Sequence, residues 1–252
     1  MSSRAAISSR LKAKVANFTL SSSRLCGRQL IVPRVSDLRA ALVTGGTGRV
    51  GRAVAARLES DGFRVLAAGR ADGDLADPRA TRALVERAAA ELGGLDLVVH
   101  AAGDGFFPRP VEDVSEEDWD AAFGATAKGS FFVAQVAAPH LRESSLGLLV
   151  LLEDVAAYQP WPSFAPHCAA KAAQAMLTRV LARALAPEVR VCGVVPGPVA
   201  VLPGQEERRA AETALGRIGS PDDVAGAVAY LVGASFVTGT SLVVDGGRLL
   251  RS

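Results

Sequence analysis

From residue 39 onward, short apolar runs alternate with longer segments whose apolar positions recur at helical spacing. The first run, AALVT at 40–44, precedes a segment in which Val50, Val54 and Leu58 recur at four-residue intervals. Short apolar runs predict buried strands, and apolar positions three or four residues apart predict amphipathic helices. Because strands and helices alternate, we expect a parallel sheet covered by helices on both faces.

The alternation continues to the end of the chain. The predicted strands are 40–44, 63–69, 95–103, 146–153, 189–196 and 241–247, and the predicted helices are 49–60, 78–92, 115–141, 166–186 and 221–232. Ser115 and Ser220 stand where N-caps are expected, because a hydroxyl there accepts a hydrogen bond from a first-turn amide. We therefore predict one Rossmann-type, doubly wound parallel sheet of the α/β class.

One connection in this pattern is short. Only the eight residues 70–77 separate the second strand from the next helix. That length is too small for a further strand and helix, since a crossover unit needs a dozen or more residues. We expect the third strand and helix unit of a doubly wound sheet to be shortened or missing.

The turn after the first strand is rich in glycine. Gly45, Gly46 and Gly48 lie between the strand and the first helix. A strand that enters a helix through glycines can direct backbone N–H groups and the helix dipole at a phosphate. Glycine clusters also form ordinary turns, so the run alone leaves both interpretations open.

Composition narrows the class of protein. The 252 residues are 49% hydrophobic and 21% charged, with 28 basic against 26 acidic residues, which fits one large soluble domain and argues against nucleic acid as a partner. Three cysteines have neither the number nor the spacing of a disulfide framework or a zinc site, so we expect no metal and a reducing compartment. No apolar run approaches the length that spans a bilayer, and we expect no membrane partner.

The N-terminal segment differs from the rest. Residues 1–36 are rich in Ser and Arg and contain seven basic residues and no acid. This composition is typical of a transit peptide, but a disordered arm, an upstream start codon or an integral part of the fold stay open. The expected location is correspondingly the cytoplasm or an organelle matrix, and the folded domain is expected over 37–252.

Several short motifs follow one another in a specific order. They are Thr44-Gly45 and Gly51 around the first loop, AAG at 101–103, Lys171, PGPV at 196–199 and VDGG at 244–247. Together they resemble the short-chain dehydrogenase/reductase family over about 39–249. The resemblance implies oxidoreductase activity with a nicotinamide dinucleotide on a small molecule, and a homodimer or homotetramer assembled through helices 115–141 and 166–186.

The resemblance also implies a set of cofactor contacts. Arg49 replaces a glycine of the family loop, as in its pteridine-reductase-like branch, and Arg70 follows the second strand where an arginine accommodates the extra phosphate of NADP. We therefore favour NADP(H) over NAD(H). The expected cofactor residues are Gly45, Thr47, Arg49, Val50, Arg70, Asp74, Leu75, Ala102, Gly103, Lys171, Pro196, Gly197 and Val199.

The catalytic positions depart from the family pattern. The family uses an Asn, a Ser, a Tyr and a Lys, and the matching positions here hold Thr126, Asp154, His167 and Lys171. An Asp at the serine position again resembles the pteridine-reductase-like branch. Histidine can donate a proton near neutral pH, so we hypothesise that Asp154 stabilises protonated His167 while Lys171 holds the nicotinamide ribose.

Two functions remain open on these residues. One is reduction of a carbonyl or imine, pteridine-like or 3-oxoacyl-like, and the other is a non-catalytic dinucleotide-binding protein or scaffold. Aromatic residues in two loops would suit a flat aromatic or heterocyclic substrate, but they could equally pack on one another or at a subunit contact. They are Phe106, Phe107, Tyr158, Trp161 and Phe164. His100, where the family has Asn, is interpreted as a packed, hydrogen-bonded residue.

Overall fold

The computed structural model describes residues 38–104, 106–199, 201 and 203–251. The strands are β1 (Ala40–Thr44), β2 (Arg64–Ala68), β3 (Leu97–His100), β4 (Leu148–Leu152), β5 (Arg190–Pro196) and β6 (Ser241–Val244). The helices are α1 (Arg49–Ser60), α2 (Pro78–Leu92), α3 (Glu116–Phe123), α4 (Gly129–Arg142), α5 (Ala165–Leu185), α6 (Glu206–Ala211) and α7 (Pro221–Gly233). The predictions for residues 1–36 lie outside the described residues.

The six strands form one parallel sheet in the order β2-β1-β3-β4-β5-β6. The strand order reverses between β1 and β3, where Thr44 pairs with His100. Ligands of open α/β sheets bind at the carboxyl ends of the strands beside such a reversal. The predicted α/β fold is confirmed, and this edge is where a ligand site is expected.

The predicted short unit is also confirmed. Between β2 and α2 the chain forms only a 3-10 turn, Arg70–Asp72, and residues 70–77 contain no strand. β2 is therefore an edge strand, and the loop that follows it opens directly onto the switch point.

The sheet is buried on both faces. Leu42, Val98 and Leu149 pack on one face against α2, α4 and α5, while Val43 and Val150 pack on the other against α1 and α7. Every residue of β1, β3 and β4 is buried. Continuous apolar runs are required because a parallel sheet covered on both sides has no solvent face.

The predicted caps are present. The side-chain oxygen of Ser115 accepts from the amide of Asp118, and that of Ser220 accepts from the amide of Asp223. Both motifs are capping boxes, in which the acidic side chain returns a bond to the cap residue. The local sequence thus predicted where α3 and α7 begin.

The predicted long helix over 115–141 is present as helical backbone from Glu116 to Arg142, but it is not regular throughout. A π-helical segment, Gly124–Lys128, separates α3 from α4. A Cβ at Gly124 would lie 2.9 Å from Cβ of Ala76, and one at Gly129 would lie 3.2 Å from the carbonyl oxygen of Leu75. The helix approaches the loop after β2 too closely for side chains, and π-helical segments of this kind are common at functional sites.

Strand ends also differ from the pattern. The segment 241–247 ends as a strand at Val244, since Gly246 and Gly247 take φ of 63° and 78°. Positive φ is incompatible with a β-ladder and is accessible to glycine. No helix within the described part of the chain is long and apolar enough to cross a membrane.

Candidate active site

Two adjoining clefts lie at the carboxyl edge of the sheet. The larger has a volume of about 620 Å³ and the smaller about 200 Å³. They share Ala101, Ala102 and Gly103, the loop that follows β3. The two clefts therefore form a groove with a wide end and a narrow end.

The glycines after β1 allow backbone segments to pack closely. Gly45 has a φ of 68°, and a Cβ there would lie 2.6 Å from the carbonyl carbon of Ala101. A Cβ on Gly51 would lie 2.2 Å from the carbonyl oxygen of Gly45. These two contacts leave no space for a side chain, so the turn is fixed by glycine at both ends.

The first turn of α1 is suited to an anion. Its N-cap, Gly48, provides no side-chain cap, and no acidic residue stands in the first turn. First-turn amides have no acceptor within their own helix, and the helix dipole favours negative charge there. Arg49 and Val50 lie on this turn and line the larger cleft.

The narrow cleft is lined by the loop after β2. Arg70 forms an ion pair with Asp104, and its side chain is 81% exposed. The hydrogen bond from the Gly69 amide lowers the pKa of Asp72, which also pairs with Arg87 at 3.0 Å. Asp72 therefore points to the chain's own backbone, while Arg70 stays on the cleft wall.

His100 joins the sheet to the π-helical segment. Its Nε2 donates to the carbonyl oxygen of Ala125 at 2.9 Å, and its Nδ1 accepts from the Thr44 hydroxyl at 2.9 Å. Burial lowers the pKa of His100 to about 4, so the ring is neutral at neutral pH. The interpretation of a packed, hydrogen-bonded histidine agrees with this geometry.

Thr126 occupies the centre of the π-helical segment. Its hydroxyl oxygen is buried and has no hydrogen-bond partner among the described residues. A Cβ at Gly103 would lie 3.3 Å from that oxygen and 4.0 Å from Nζ of Lys171. The hydroxyl thus faces the shared loop of the two clefts, close to the lysine.

Lys171 is buried and fully hydrogen-bonded. Its ammonium donates to the carbonyl oxygen of Leu152 at 2.8 Å, to that of Glu153 at 3.4 Å and to Oε1 of Gln174 at 2.9 Å. Burial lowers the pKa of Lys171, and the charges of Asp154 and Glu153 oppose that shift. The ammonium is therefore held in one position on the cavity wall.

A chain of hydrogen bonds continues from Lys171 into the protein. Gln174 donates to the Ser130 hydroxyl at 2.8 Å, and Ser130 donates to the carbonyl oxygen of Thr126 at 2.6 Å. This chain connects the lysine to the π-helical segment, and sequence reasoning missed it. The available signal was a buried polar stripe at helical spacing on α5, formed by His167, Lys171, Gln174 and Thr178.

Asp154 and His167 approach each other across the cavity. Oδ1 of Asp154 accepts from the Ala156 amide at 2.8 Å, and its Oδ2 lies 3.7 Å from Nε2 of His167. That separation suits an ion pair with a protonated ring but is too long for a hydrogen bond. Both ring nitrogens of buried His167 are without a hydrogen-bond partner among the described residues.

The aromatic side chains of the two loops were expected either to face a flat substrate or to pack on one another, and the structure shows features of both. Phe106 stacks on Phe164 with centroids 4.5 Å apart and meets the His167 ring edge-on at 5.0 Å. Trp161 lies nearly parallel to the His167 ring at 6.5 Å. Phe106 and Trp161 contact each other with ring centroids 6.3 Å apart, and both also line the larger cleft together with Phe107.

Glu153 is a buried carboxylate that sequence reasoning missed. It accepts hydrogen bonds from the hydroxyls of Tyr158 at 3.0 Å, Thr178 at 2.7 Å and Ser241 at 2.9 Å. Burial and the charge of Glu153 raise the pKa of Tyr158. Tyr158 is thus a donor to the protein itself and does not line either cleft.

Charged residues from the C-terminal part of the chain complete the larger cleft. Arg209 on α6 and Arg248 after β6 both line it, and both pair with Glu212. These three residues were not expected from the sequence. No signal in local spacing links Arg248 to a segment 36 residues earlier.

Every expected cofactor residue and the three catalytic candidates lie on one of the two clefts, whereas Thr126, Tyr158 and Phe164 line neither. His167, Lys171 and Asp154 line the larger one. The cofactor residues divide between them: Arg49, Val50, Pro196, Gly197 and Val199 line the larger cleft, Gly45, Thr47, Arg70, Asp74 and Leu75 line the smaller, and Ala102 and Gly103 line both. Their individual roles stay predictions. Within the described residues, no group of three His, Cys, Asp or Glu side chains could hold a metal ion.

Comparison with known proteins identifies the family. The profile of the family described as "Enoyl-(Acyl carrier protein) reductase" matches residues 46–248. The chain belongs to the short-chain dehydrogenase/reductase family of oxidoreductases. The parallel six-stranded sheet agrees with that membership.

Three similar proteins represent the comparisons. The 4-formylbenzenesulfonate dehydrogenase TsaC1/TsaC2 of Comamonas testosteroni is 35% identical, over 82% of this chain and 96% of that protein. Human dehydrogenase/reductase SDR family member 4 is 30% identical, over 84% and 88%. A blue fluorescent protein from a metagenomic library, solved in complex with NADPH, is 28% identical with a TM-score of 0.74, over 83% of this chain and 97% of that one.

Proposed function

We propose that the protein is an NADP(H)-dependent reductase of a small carbonyl or imine compound, with His167 as the proton donor. The observation that carries the proposal is the buried imidazole of His167, which borders the larger cleft and has no hydrogen-bond partner for either nitrogen among the described residues. A buried polar group without a partner costs about 1–3 kcal/mol. A substrate oxygen or nitrogen that accepts from this ring would remove that cost.

The residues of the groove fit a nicotinamide dinucleotide. The backbone at Gly45 and Gly51 leaves no room for side chains, and the uncapped start of α1 faces the groove with its dipole. When bound, the nicotinamide supplies or accepts the hydride. Arg70 on the narrow cleft supports NADP(H), because a guanidinium there would pair with an additional phosphate.

The three catalytic candidates take separate roles in this proposal. His167 donates its proton to the carbonyl oxygen or imine nitrogen, and Asp154, 3.7 Å from Nε2, stabilises the charged ring before transfer. Lys171 is fixed by Leu152 and Gln174, so it orients the ribose side of the groove and does not approach the proton. Phe106 and Trp161 pack against the imidazole of His167, a residue that is 6% exposed.

The relatives support an enzyme over a non-catalytic scaffold. They are named as dehydrogenases or reductases, and one is named for 4-formylbenzenesulfonate, which carries an aldehyde. The reacting group proposed here is of the same kind. The pteridine-like and 3-oxoacyl-like compounds expected from the sequence contain such groups and belong in the first panel of substrates.

The test is NADPH and NADH oxidation over a panel of carbonyl compounds by the wild-type protein and two variants. His167→Ala is expected to lower kcat by about 10²–10⁴, the usual contribution of a positioned acid. His167→Tyr restores the family's acid and is expected to recover part of that loss. Unchanged turnover in His167→Ala would remove the histidine from the mechanism, and tight NADPH binding without turnover in all three proteins would favour the non-catalytic scaffold.

The proposal includes a homodimer or homotetramer. Phe131 on α4 and Met176 and Val180 on α5 are exposed apolar side chains on the two helices expected to assemble. Exposed apolar groups clustered on long helices favour burial against another subunit. Size-exclusion chromatography with light scattering measures the mass, and a strict monomer would contradict this part.

A further inference from the structure

Arg209 and Arg248, here called the arginine pair, lie beside the larger cleft. One carboxylate, that of Glu212, holds both of them. Nη1 of Arg209 donates to Glu212 at 3.0 Å, and Nη1 of Arg248 forms an ion pair with the same carboxylate. Burial favours the neutral form of Glu212, but the hydrogen bond from Arg209 and the charge of Arg248 hold its pKa below the usual value. One carboxylate therefore positions two guanidinium groups that both face the cavity.

The arginine pair leaves positive charge in excess. Each guanidinium has five N–H donors, and the hydrogen bonds that either makes to a described residue involve only Nη1 and Glu212. The side chain of Arg248 is 14% exposed, so its cation is largely desolvated. Charge-assisted hydrogen bonds to such a group are among the strongest polar contacts.

The acidic residues of the same cavity have other partners. Asp104 forms an ion pair with Arg70, and Asp154 accepts a hydrogen bond from the Ala156 amide. Glu153 accepts hydrogen bonds from three hydroxyl groups. These carboxylates therefore do not neutralise the arginine pair. The cavity has an end that favours an anion.

That end lies next to the proposed acid. The guanidinium carbon of Arg248 lies 5.6 Å from the centroid of the Trp161 ring, and the ring of His167 lies parallel to the same indole at 6.5 Å. Phe106 meets the His167 ring edge-on at 5.0 Å and lies 6.3 Å from the Trp161 ring. A flat ring in this space would meet aromatic walls, a proton donor and a guanidinium.

We propose that the substrate is an aromatic aldehyde or ketone that carries a carboxylate or similar anionic group, with the anion on Arg248 and Arg209 and the carbonyl oxygen at His167. The inference rests on the proposed function, because it assigns the two ends of one substrate to two ends of the same cavity. The inference goes beyond the proposed function because it attributes substrate specificity to recognition of a negative charge by Arg209 and Arg248.

The experiment compares 4-formylbenzoate with its methyl ester, which keeps the aldehyde and removes the charge. Wild type is expected to show kcat/KM for the acid at least about tenfold above the ester, the ratio that one charge-assisted hydrogen bond supplies. Arg248→Gln and Arg209→Gln are expected to lower this ratio about tenfold, mainly through KM, and Arg248→Lys is expected to fall between. Arg183→Gln, an exposed arginine on α5 outside both clefts, is the matched control.

A binding measurement separates this inference from the proposed function. Calorimetric titration with benzoate and with benzamide needs no turnover, and we expect benzoate to bind at least about tenfold more tightly in wild type and in His167→Ala but not in Arg248→Gln. A ratio of acid to ester that is the same in wild type and both arginine variants would overturn the inference while leaving the function intact. Arginine-dependent benzoate binding without turnover of any carbonyl would support the anion site and overturn the function. Neither binding nor turnover would overturn both.

Discussion

The two ends of the groove are built by different means. At the narrow end, the backbone determines the shape, since Gly45 lines the cleft and Gly51 packs directly against the Gly45 carbonyl. At the wide end, side chains from distant segments determine it, among them His167, Trp161 and Arg248. A backbone cradle tolerates little change, whereas a side-chain wall can be replaced residue by residue, and the wide end holds the candidate catalytic residues Asp154, His167 and Lys171.

The largest expected effect tests the backbone end. Gly51→Ala places a Cβ 2.2 Å from the carbonyl oxygen of Gly45, which forces α1 away from β1. We expect a loss of about 3 kcal/mol in the free energy of unfolding and loss of NADPH binding, since overpacking of a tight site costs about 1–3 kcal/mol. Urea unfolding and a fluorescence titration measure the two.

Gly226→Ala is the matched control. Gly226 lies within α7, and a Cβ there would meet nothing within 4 Å. Alanine is a better helix former by up to about 1 kcal/mol, so this variant is expected to be neutral or more stable. Equal destabilisation by the two substitutions would contradict the account of the cradle.

The next effect tests the interior of the wide end. Gln174→Ala removes the acceptor of Lys171 and the donor to Ser130. We expect a loss of about 2 kcal/mol in the free energy of unfolding, because two buried polar groups lose a partner. We also expect a lower kcat and little change in the KM for the methyl ester of 4-formylbenzoate. The conservative variant Gln174→Glu keeps an acceptor for Lys171 and should retain more activity. A Gln174→Ala protein with wild-type stability and kcat would exclude the hydrogen-bond chain as a positioning device.

A pH effect tests His100, which connects the sheet to the π-helical segment. The pKa of His100 is lowered from 6.5 in the unfolded chain to about 4 in the folded protein, so the stability it contributes is complete above 6.5 and is lost as pH falls toward 4. Between pH 7.5 and pH 5 the loss from this residue is expected to be about 2 kcal/mol. His100→Asn, which cannot titrate there, should show a correspondingly smaller pH dependence in urea unfolding. Parallel pH profiles for the two proteins would refute this origin.

The smallest effect tests the exposed edge of the narrow end. Arg70→Ser is expected to weaken NADPH binding about tenfold and to leave NADH binding unchanged, because in the proposed function this guanidinium pairs with the extra phosphate alone. Arg82→Ser, also an exposed arginine, lies on α2 away from both clefts and is the control. An equal weakening of NADPH and NADH by Arg70→Ser would assign the arginine to the shared part of the cofactor.

Local sequence predicted the fold well for a definite reason. Apolar runs, cap residues such as Ser220, and the eight-residue connection after β2 report on neighbours within a few positions. The π-helical segment at Gly124–Lys128 was missed because local spacing does not report its close approach to Leu75 and Ala76, which belong to another part of the chain. The same limit applied to Arg209 and Arg248, which border the larger cleft.

The sequence by itself determined the parallel α/β sheet, the glycine cradle and the helical spacing that aligns His167 with Lys171, since each depends on residues near one another along the chain. Only the tertiary structure decided which side chains complete the site. Gln174 meets Ser130 across 44 residues, and Ser241 reaches Glu153 across 88. Such pairs form when packing of the sheet and helices brings distant segments together, and buried polar groups then take whatever partner the fold provides.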